Sequence, residues 1–290
     1  MKIAIITGGT SSEREVSLAS AQNIQRLLSI PDDAIFDYPE DLTRLKDQLA
    51  DIDVVIPIIH GAGGEDGEVQ QALENLRIPY IFSIPTCHQQ ALDKQKAKEI
   101  VSQAGIPVAR EFSSHETISS ACFVKPRSGG SSLYTTVVNN PQELSEFVNQ
   151  YPDIDFLIEE RITGREFTVG VIETNGETKA LPVTEIISQS EFFDYNSKYN
   201  TAKLAHEICP AEISIELAKE LQRQAVNCHN TLGCRHLSRT DFIVTPENTI
   251  YFLETNTIPG MTSTSLAPQM AKVAKYNLKD LFHEWIQDVL

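Results

Sequence analysis

The 290-residue chain is 41% apolar and 22% charged, enough for two or three globular domains with a substantial core. Its 24 basic and 40 acidic side chains leave a net charge of −16, which excludes holding a nucleic-acid backbone by bulk charge. No run approaches the ~18 apolar residues of a membrane span, and the Ile3 to Ile6 run is too short for a signal-peptide core.

From the N-terminus, residues 3–6 read as a buried strand running into Gly8-Gly9. A helix is expected over 13–28, with Val16, Ala19, Ile24, Leu27 and Leu28 as its apolar side. Residues 54–59 form a second buried strand, with Pro57 marking an edge or irregularity. The glycine-rich segment 60–67 follows, then a helix carrying Val69, Leu73 and Leu76, and a strand over 79–82. Such β/α alternation implies a parallel sheet covered by helices, whose ligands gather at the strand carboxyl ends.

The character then changes. A charged helix over 93–104 ends at Gly105. Strands at 123–125, 135–138 and 156–160 and a helix over 141–149 suggest a small α+β unit. A longer strand-rich section opens near Glu166, and 188–210 is a long polar and aromatic loop. A loop of that length is uncommon unless functional.

Five cysteines, at 87, 122, 209, 228 and 234, are odd in number and lack CxxC, favouring reduced thiols in a cytoplasmic protein. Cys228, His229, Cys234 and His236 cluster without a common zinc spacing, and read as core and surface-loop residues.

The strongest chemical signal lies at 239–256. Two β-branched and aromatic runs joined by Thr245-Pro246-Glu247-Asn248-Thr249 predict an antiparallel hairpin. Folding about that turn sets Asp241 opposite Glu254, and strand period two puts Asn256 on the face of Glu254 and Arg239 on that of Asp241. Hard oxygen donors of this kind suit Mg²⁺; a solvated hairpin face is the plain alternative. Lys125 precedes the loop Ser128-Gly129-Gly130-Ser131-Ser132, a composition able to wrap phosphates, although it is not a P-loop. The loop Gly8 to Glu13 between strand and helix is not GxGxxG, so a dinucleotide site is weakly supported.

Taken in order, GGTSSEREVSL at 8–18, HGAGGEDG at 60–67, DK at 93–94, FVKP with GGSS at 123–132, EFTV at 166–169, FFDYNSKY at 192–199, RTD at 239–241 and FLETNTIPGMTSTS at 252–265 resemble the D-alanine–D-alanine ligase family of the ATP-grasp superfamily. The resemblance covers nearly the whole chain. It implies a multidomain α/β and α+β protein, an ATP-grasp fold with a Rossmann-like parallel-sheet domain at 1–87, a central subdomain at 88–165 and a C-terminal subdomain at 166–290.

The resemblance also implies roles. Glu13 would bind the ammonium of the first D-alanine and form a triad with Ser131 and Tyr199, with His60 nearby. Lys94, Lys125 and Lys198 would hold ATP phosphates. Glu159, the Ile162 amide and Glu166 would address adenine and ribose. Asp241, Glu254 and Asn256 would hold two Mg²⁺, or Mn²⁺. Arg239 and the Gly260 amide would stabilise an oxyanion, and Ser265 with the Leu266 amide would take the second carboxylate. Residues 188–206 would form a lid, and the protein would be a cytoplasmic homodimer acting on ATP and D-alanine, with no nucleic-acid or membrane partner. Where the family usually has lysine after Glu159, this chain has Glu160 and Arg161, and Leu133-Tyr134 departs from the usual glycine loop. A D-Ala–D-Ser or D-Ala–D-Lac ligase, or a non-catalytic ATP-grasp binding protein, stays open as an alternative.

Overall fold

The structure is a computed structural model that describes residues 1–48, 51–112, 118–130, 133–187 and 206–290. Its first sheet is parallel, in the order β2-β1-β3, from β1 (Ile3–Gly8), β2 (Ile35–Tyr38) and β3 (Val54–Pro57). β1 and β3 are buried throughout or nearly so, as continuous apolar runs require when helices cover a parallel sheet. Helices α1 (Arg14–Leu28), α2 (Leu42–Gln48) and α3 (Glu68–Asn75) belong to this part of the chain. β2 and α2 have no counterpart among the expected elements; β2 has four residues, and only Phe36 is fully buried, too short a pattern to stand out.

Two expectations need correction here. Val16 is 43% exposed and Ala19 is also outside, while Ser17 and Ser20 turn inward and are fully buried. Serine hydroxyls win these positions because the neighbouring chain offers polar groups for them to bind. The strand expected at 79–82 is a single bridge, Val55 to Tyr80. The backbone there is taken by side chains: Arg235 donates to the carbonyls of Tyr80 and Phe82, and the Phe82 N–H donates to His236 Nδ1.

Helices α4 (Pro85–Leu92) and α5 (Lys94–Gln103) lead out of the first sheet. Asp93 caps α5 by accepting from the Lys96 N–H and holds Arg127 through two bonds of 2.9 and 2.6 Å. The second sheet is antiparallel, β5-β4-β6, from β4 (Cys122–Pro126), β5 (Thr136–Val138) and β6 (Phe156–Glu160), with α6 (Pro141–Gln150) beside it. Tyr134, Tyr151, Phe147 and Phe156 pack edge-on or tilted in succession along it.

The third sheet has the order β10-β9-β7-β11-β12, with β8 also on β7. Its strands are β7 (Arg165–Thr174), β8 (Glu177–Ala180), β9 (Thr184–Ile187), β10 (His206–Ile208), β11 (Leu237–Val244) and β12 (Ile250–Asn256). Helix α7 (Ile215–Leu232) starts at the Ser214 cap and stops at Gly233, whose φ of 72° suits glycine. Helices α8 (Leu266–Val273) and α9 (Leu278–Asp288) close the chain. One apolar cluster joins the first sheet, α1, α8 and α9 around the fully buried Trp285, so the N-terminal and C-terminal parts share a core.

The cysteine and histidine cluster lies in the interior. His236 is 2% exposed, contrary to the surface-loop expectation, because it accepts from Phe82 and stacks on Trp285. Cys234 lies 3.6 Å from Cys87, and His229 bonds Ser238 at 2.8 Å. Among the described residues, no three His, Cys, Asp or Glu side chains gather as a metal site.

Candidate active site

The β11–β12 hairpin pairs Arg239 with Asn256, Thr240 with Thr255 and Asp241 with Glu254. A bulge follows, since Phe242 pairs with Phe252 and Leu253 has no partner of its own. Without it, Phe252 and Glu254 would share a face, because side chains two apart do. With it, Phe252 enters the core at 1% exposure while Glu254 faces the opposite side.

Arg239 grips Asp241 through Nε and Nη2, both at 3.1 Å. Thr168 of β7 donates to the same carboxylate, and Glu166, two residues earlier, shares the Thr168 face. Asn256 accepts the Ile258 N–H at 3.0 Å, which turns the chain into the Pro259-Gly260 loop. Lys94 Nζ sits 3.4 Å from Glu254 and donates to the Gly129 carbonyl, tying the hairpin to the glycine loop. Burial would push the Glu254 carboxyl up, but Lys94, Lys125 and Arg239 outweigh it and hold it below its ordinary value. Its side chain stays 37% accessible, so water and solutes reach it.

Behind these groups lies a sealed triad. Glu159 binds Lys98 at 2.5 Å and Lys125 at 2.9 Å, and all three side chains are under a tenth exposed. Burial opposes its ionisation, yet Lys125 and Lys98 keep its carboxyl below the usual range. No sequence motif marks Lys98; its one signal is that it lies one turn beyond Lys94 on α5, on the same face. Glu160 accepts from the Arg110 N–H at 2.8 Å. Ile162 is half-buried in the link between β6 and β7.

The N-terminal loops close the other side. A Cβ added at Gly130 would lie 3.2 Å from Glu13 Oε2, and one at Gly61 would lie 3.5 Å from it. Glu13 therefore stands between the 60–67 loop and the glycine loop after β4. His60 Nε2 lies 3.2 Å from Ser20 Oγ, and burial, opposed by Glu13, lowers the pKa of the ring. Glu65 accepts the Gly61 N–H at 2.7 Å; burial and the charge of Glu13 push its carboxyl up to about 8. Glu65 sits inside the 60–67 motif, where the sequence alone gives it no role.

Gly260 packs so closely that a Cβ would come 2.8 Å from Ser265 Oγ. Ser265 accepts the Thr262 N–H at 3.1 Å and stands as the cap of α8, with Leu266 as its first residue. Helix-start amides at that position are free to receive a carboxylate. Ser131, Lys198 and Tyr199, with 188–205 of the expected lid, lie outside the described residues. The structure sets Arg239 on Asp241 beside Glu254 and Lys94, with Lys125 and Glu159 behind them, while Glu13 and His60 stand in the N-terminal loops and Gly260 packs on Ser265.

Comparison with known proteins decides between an ATP-grasp relative and a chance grouping. Residues 83–287 match the family model "D-ala D-ala ligase C-terminus", and residues 36–83 match "D-ala D-ala ligase N-terminus". The chain belongs to the D-alanine–D-alanine ligase family. The D-alanine–D-alanine ligase of Syntrophobacter fumaroxidans is 40% identical over 309 aligned residues, covering 99% of this chain and 97% of that one. The ligase of Halalkalibacterium halodurans is 38% identical, covering 99% and 98%. Among solved structures, the Bacillus anthracis ligase complexed with ATP superposes with a TM-score of 0.80 at 28% identity, covering 100% and 97%. VanG D-Ala:D-Ser ligase from Enterococcus faecalis gives 0.82 at 29%, covering 100% and 99%. The mixed α/β architecture is that of these ATP-grasp ligases.

Proposed function

We propose that this chain is an ATP-dependent ligase that joins two D-alanine molecules for peptidoglycan synthesis. The observation that carries the reading is the pairing of Asp241 with Glu254 across the bulged hairpin, with Arg239 and Lys94 against them. Domains 1–87, 88–165 and 166–290 would surround the reactants, in a cytoplasmic homodimer.

In this reading Glu13 binds the ammonium of the first D-alanine, a charge-assisted contact, and His60 lines the same place. Ser131 and Tyr199 complete the triad with Glu13. Lys94, Lys125 and Lys198 hold the phosphates of ATP, and Glu159, with oxygens on Lys98 and Lys125, fixes Lys125 in place. Each Glu159 oxygen keeps a second lone pair for the adenine amine, while the Ile162 amide and Glu166 address the base and ribose. Asp241, Glu254 and Asn256 offer hard oxygens suited to two Mg²⁺, or Mn²⁺, which when bound would offset charge on the triphosphate. The γ-phosphoryl passes to the carboxylate of the first D-alanine, releasing ADP. The amine of the second D-alanine attacks the acyl phosphate carbon. Arg239 and the Gly260 amide receive the developing oxyanion, and Ser265 with the Leu266 amide holds the second carboxylate. Collapse expels phosphate and leaves the dipeptide. Closure by 188–206 would exclude water, which would otherwise hydrolyse the acyl phosphate.

The test is phosphate release from ATP with D-alanine, with products identified by mass spectrometry from a mixture of D-alanine, D-serine and D-lactate. D-Alanyl-D-alanine as the main product is expected. A mixed dipeptide or depsipeptide as the main product would assign the chain to the alternative ligases. Nucleotide binding without turnover on any of the three would assign it to a binding role.

A further inference from the structure

Helix α1 turns a polar edge towards the catalytic loops. Ser20, fully buried, accepts the Met261 N–H at 3.1 Å and lies 3.2 Å from His60 Nε2. A hydroxyl that accepts an amide proton still has its own proton to give, and a neutral imidazole can take it. The resulting chain runs from the Met261 N–H through Ser20 to the His60 ring. One turn further along α1, Asn23 Nδ2 donates to the Met261 carbonyl at 2.8 Å. Both main-chain polar groups of Met261 are therefore fixed by α1. His60 is itself fixed: its N–H donates to Ser17 Oγ at 2.9 Å, and its carbonyl accepts from Ser11 Oγ at 2.7 Å.

The residue before Met261 needs such a clamp. Gly260 has no room for a side chain beside Ser265, and glycine leaves its backbone free to rotate. The Gly260 N–H lies in the preceding peptide, so a clamp on the Gly260–Met261 peptide restrains that donor from its C-terminal side, and a donor that must meet an oxyanion works through being held in place beforehand. We propose that Ser20 is a positioning residue: it locks the Gly260–Met261 peptide to the buried ring of His60, while Asn23 secures the next peptide. The proposal rests on the reading of Gly260 as an oxyanion donor. It also explains why a buried helix face carries serine where an apolar residue would pack.

The experiment compares Ser20→Ala, Gly260→Ala and the double variant with the parent, using MgATP and D-alanine. Ser20→Ala should lower kcat roughly 10- to 100-fold and leave KM for ATP within about two-fold. Hydrogen exchange in the 256–266 segment should speed up, and adding Ser20→Ala to Gly260→Ala should cost little more. Alanine keeps the Gly260 N–H but its Cβ would press on Ser265 and shift the loop, so full kcat in Gly260→Ala would show that the donor needs no exact placement and would remove the oxyanion reading that the clamp serves. A slow Gly260→Ala beside a Ser20→Ala that matches the parent in kcat and exchange would overturn the positioning role alone. Where Ser20→Ala does not fold, Asn23→Ala tests the same clamp, with faster exchange and lower kcat expected and parental values contradicting it.

Discussion

Glu159 and Glu254 both feel the charge of Lys125 and have opposite surroundings. Glu159 is 4% accessible and takes one lysine on each oxygen, at 2.5 and 2.9 Å. Glu254 is 37% accessible, with one lysine at 3.4 Å. Both carboxyls are held below their ordinary values by neighbouring cations against the effect of burial. The difference is what remains unspent. A sealed and doubly paired acid is spent mainly on its two lysines, with only second lone pairs left at its edge, whereas an open, singly paired one can hold a cation. One residue type chiefly anchors lysines in β6 and stays open to a metal in β12, and the number of partners and the access of water decide which.

Substitution breaks this comparison most visibly at Glu254. Glu254→Ala should lower kcat by roughly 10³-fold or more, since it removes a ligand for ions worth several kcal/mol in the transition state. Its urea midpoint should stay close to the parent's. Arg239→Ala should cost about 10²–10³-fold in kcat, read by phosphate release at saturating D-alanine.

Glu159→Gln should reverse the pattern. It leaves Lys98 and Lys125 buried without a counter-charge, and the expected loss is about 3–5 kcal/mol of stability. Urea unfolding measures it, and an unchanged midpoint would make the triad irrelevant to the fold. The pH dependence sharpens the contrast. The lowered Glu159 carboxyl adds stability that is present above the ordinary glutamate value and lost as pH falls through its folded value.

A further effect, confined to a pH window, concerns Glu65, whose carboxyl is raised. Its contribution is complete below the ordinary value of 4.5 and is lost as pH rises to about 8. Unfolding midpoints between pH 5 and 9 should decline less in Glu65→Gln than in the parent. Parallel profiles would place Glu65 in a more solvated setting.

The sequence exposes these regions unequally. β6 is legible to the residue, and the Pro and Asn turn predicts the hairpin, but the register beside the turn, Val244 with Ile250, would by itself set Asp241 opposite Leu253. The bulge that makes the pairing usable is not legible. Simple alternation sets Phe252 beside Glu254, and only packing of the Phe252 ring into the core forces the extra residue. Helix α1 misleads for the complementary reason. Its apolar period points to Val16, yet buried hydrogen-bonding groups on His60 and Met261 draw Ser17 and Ser20 inward. Residues 79–82 look like a strand, but Arg235 and His236, more than 150 positions later, satisfy that backbone. Lys98 is hidden in a charged helix because its partner lies beyond three intervening elements, in β6. Local pattern thus finds the acids that face solvent and misses the polar groups whose partners are remote.

The most direct test is Mn²⁺ binding followed by electron paramagnetic resonance without nucleotide, since ADP itself chelates the ion, with the parent, Glu254→Gln and Glu159→Gln compared under conditions where all three are folded. The parent and Glu159→Gln should remove Mn²⁺ from the free pool, and Glu254→Gln should leave most of it free. Equal uptake by Glu254→Gln and the parent would contradict the assignment of the hairpin carboxylates to the metal.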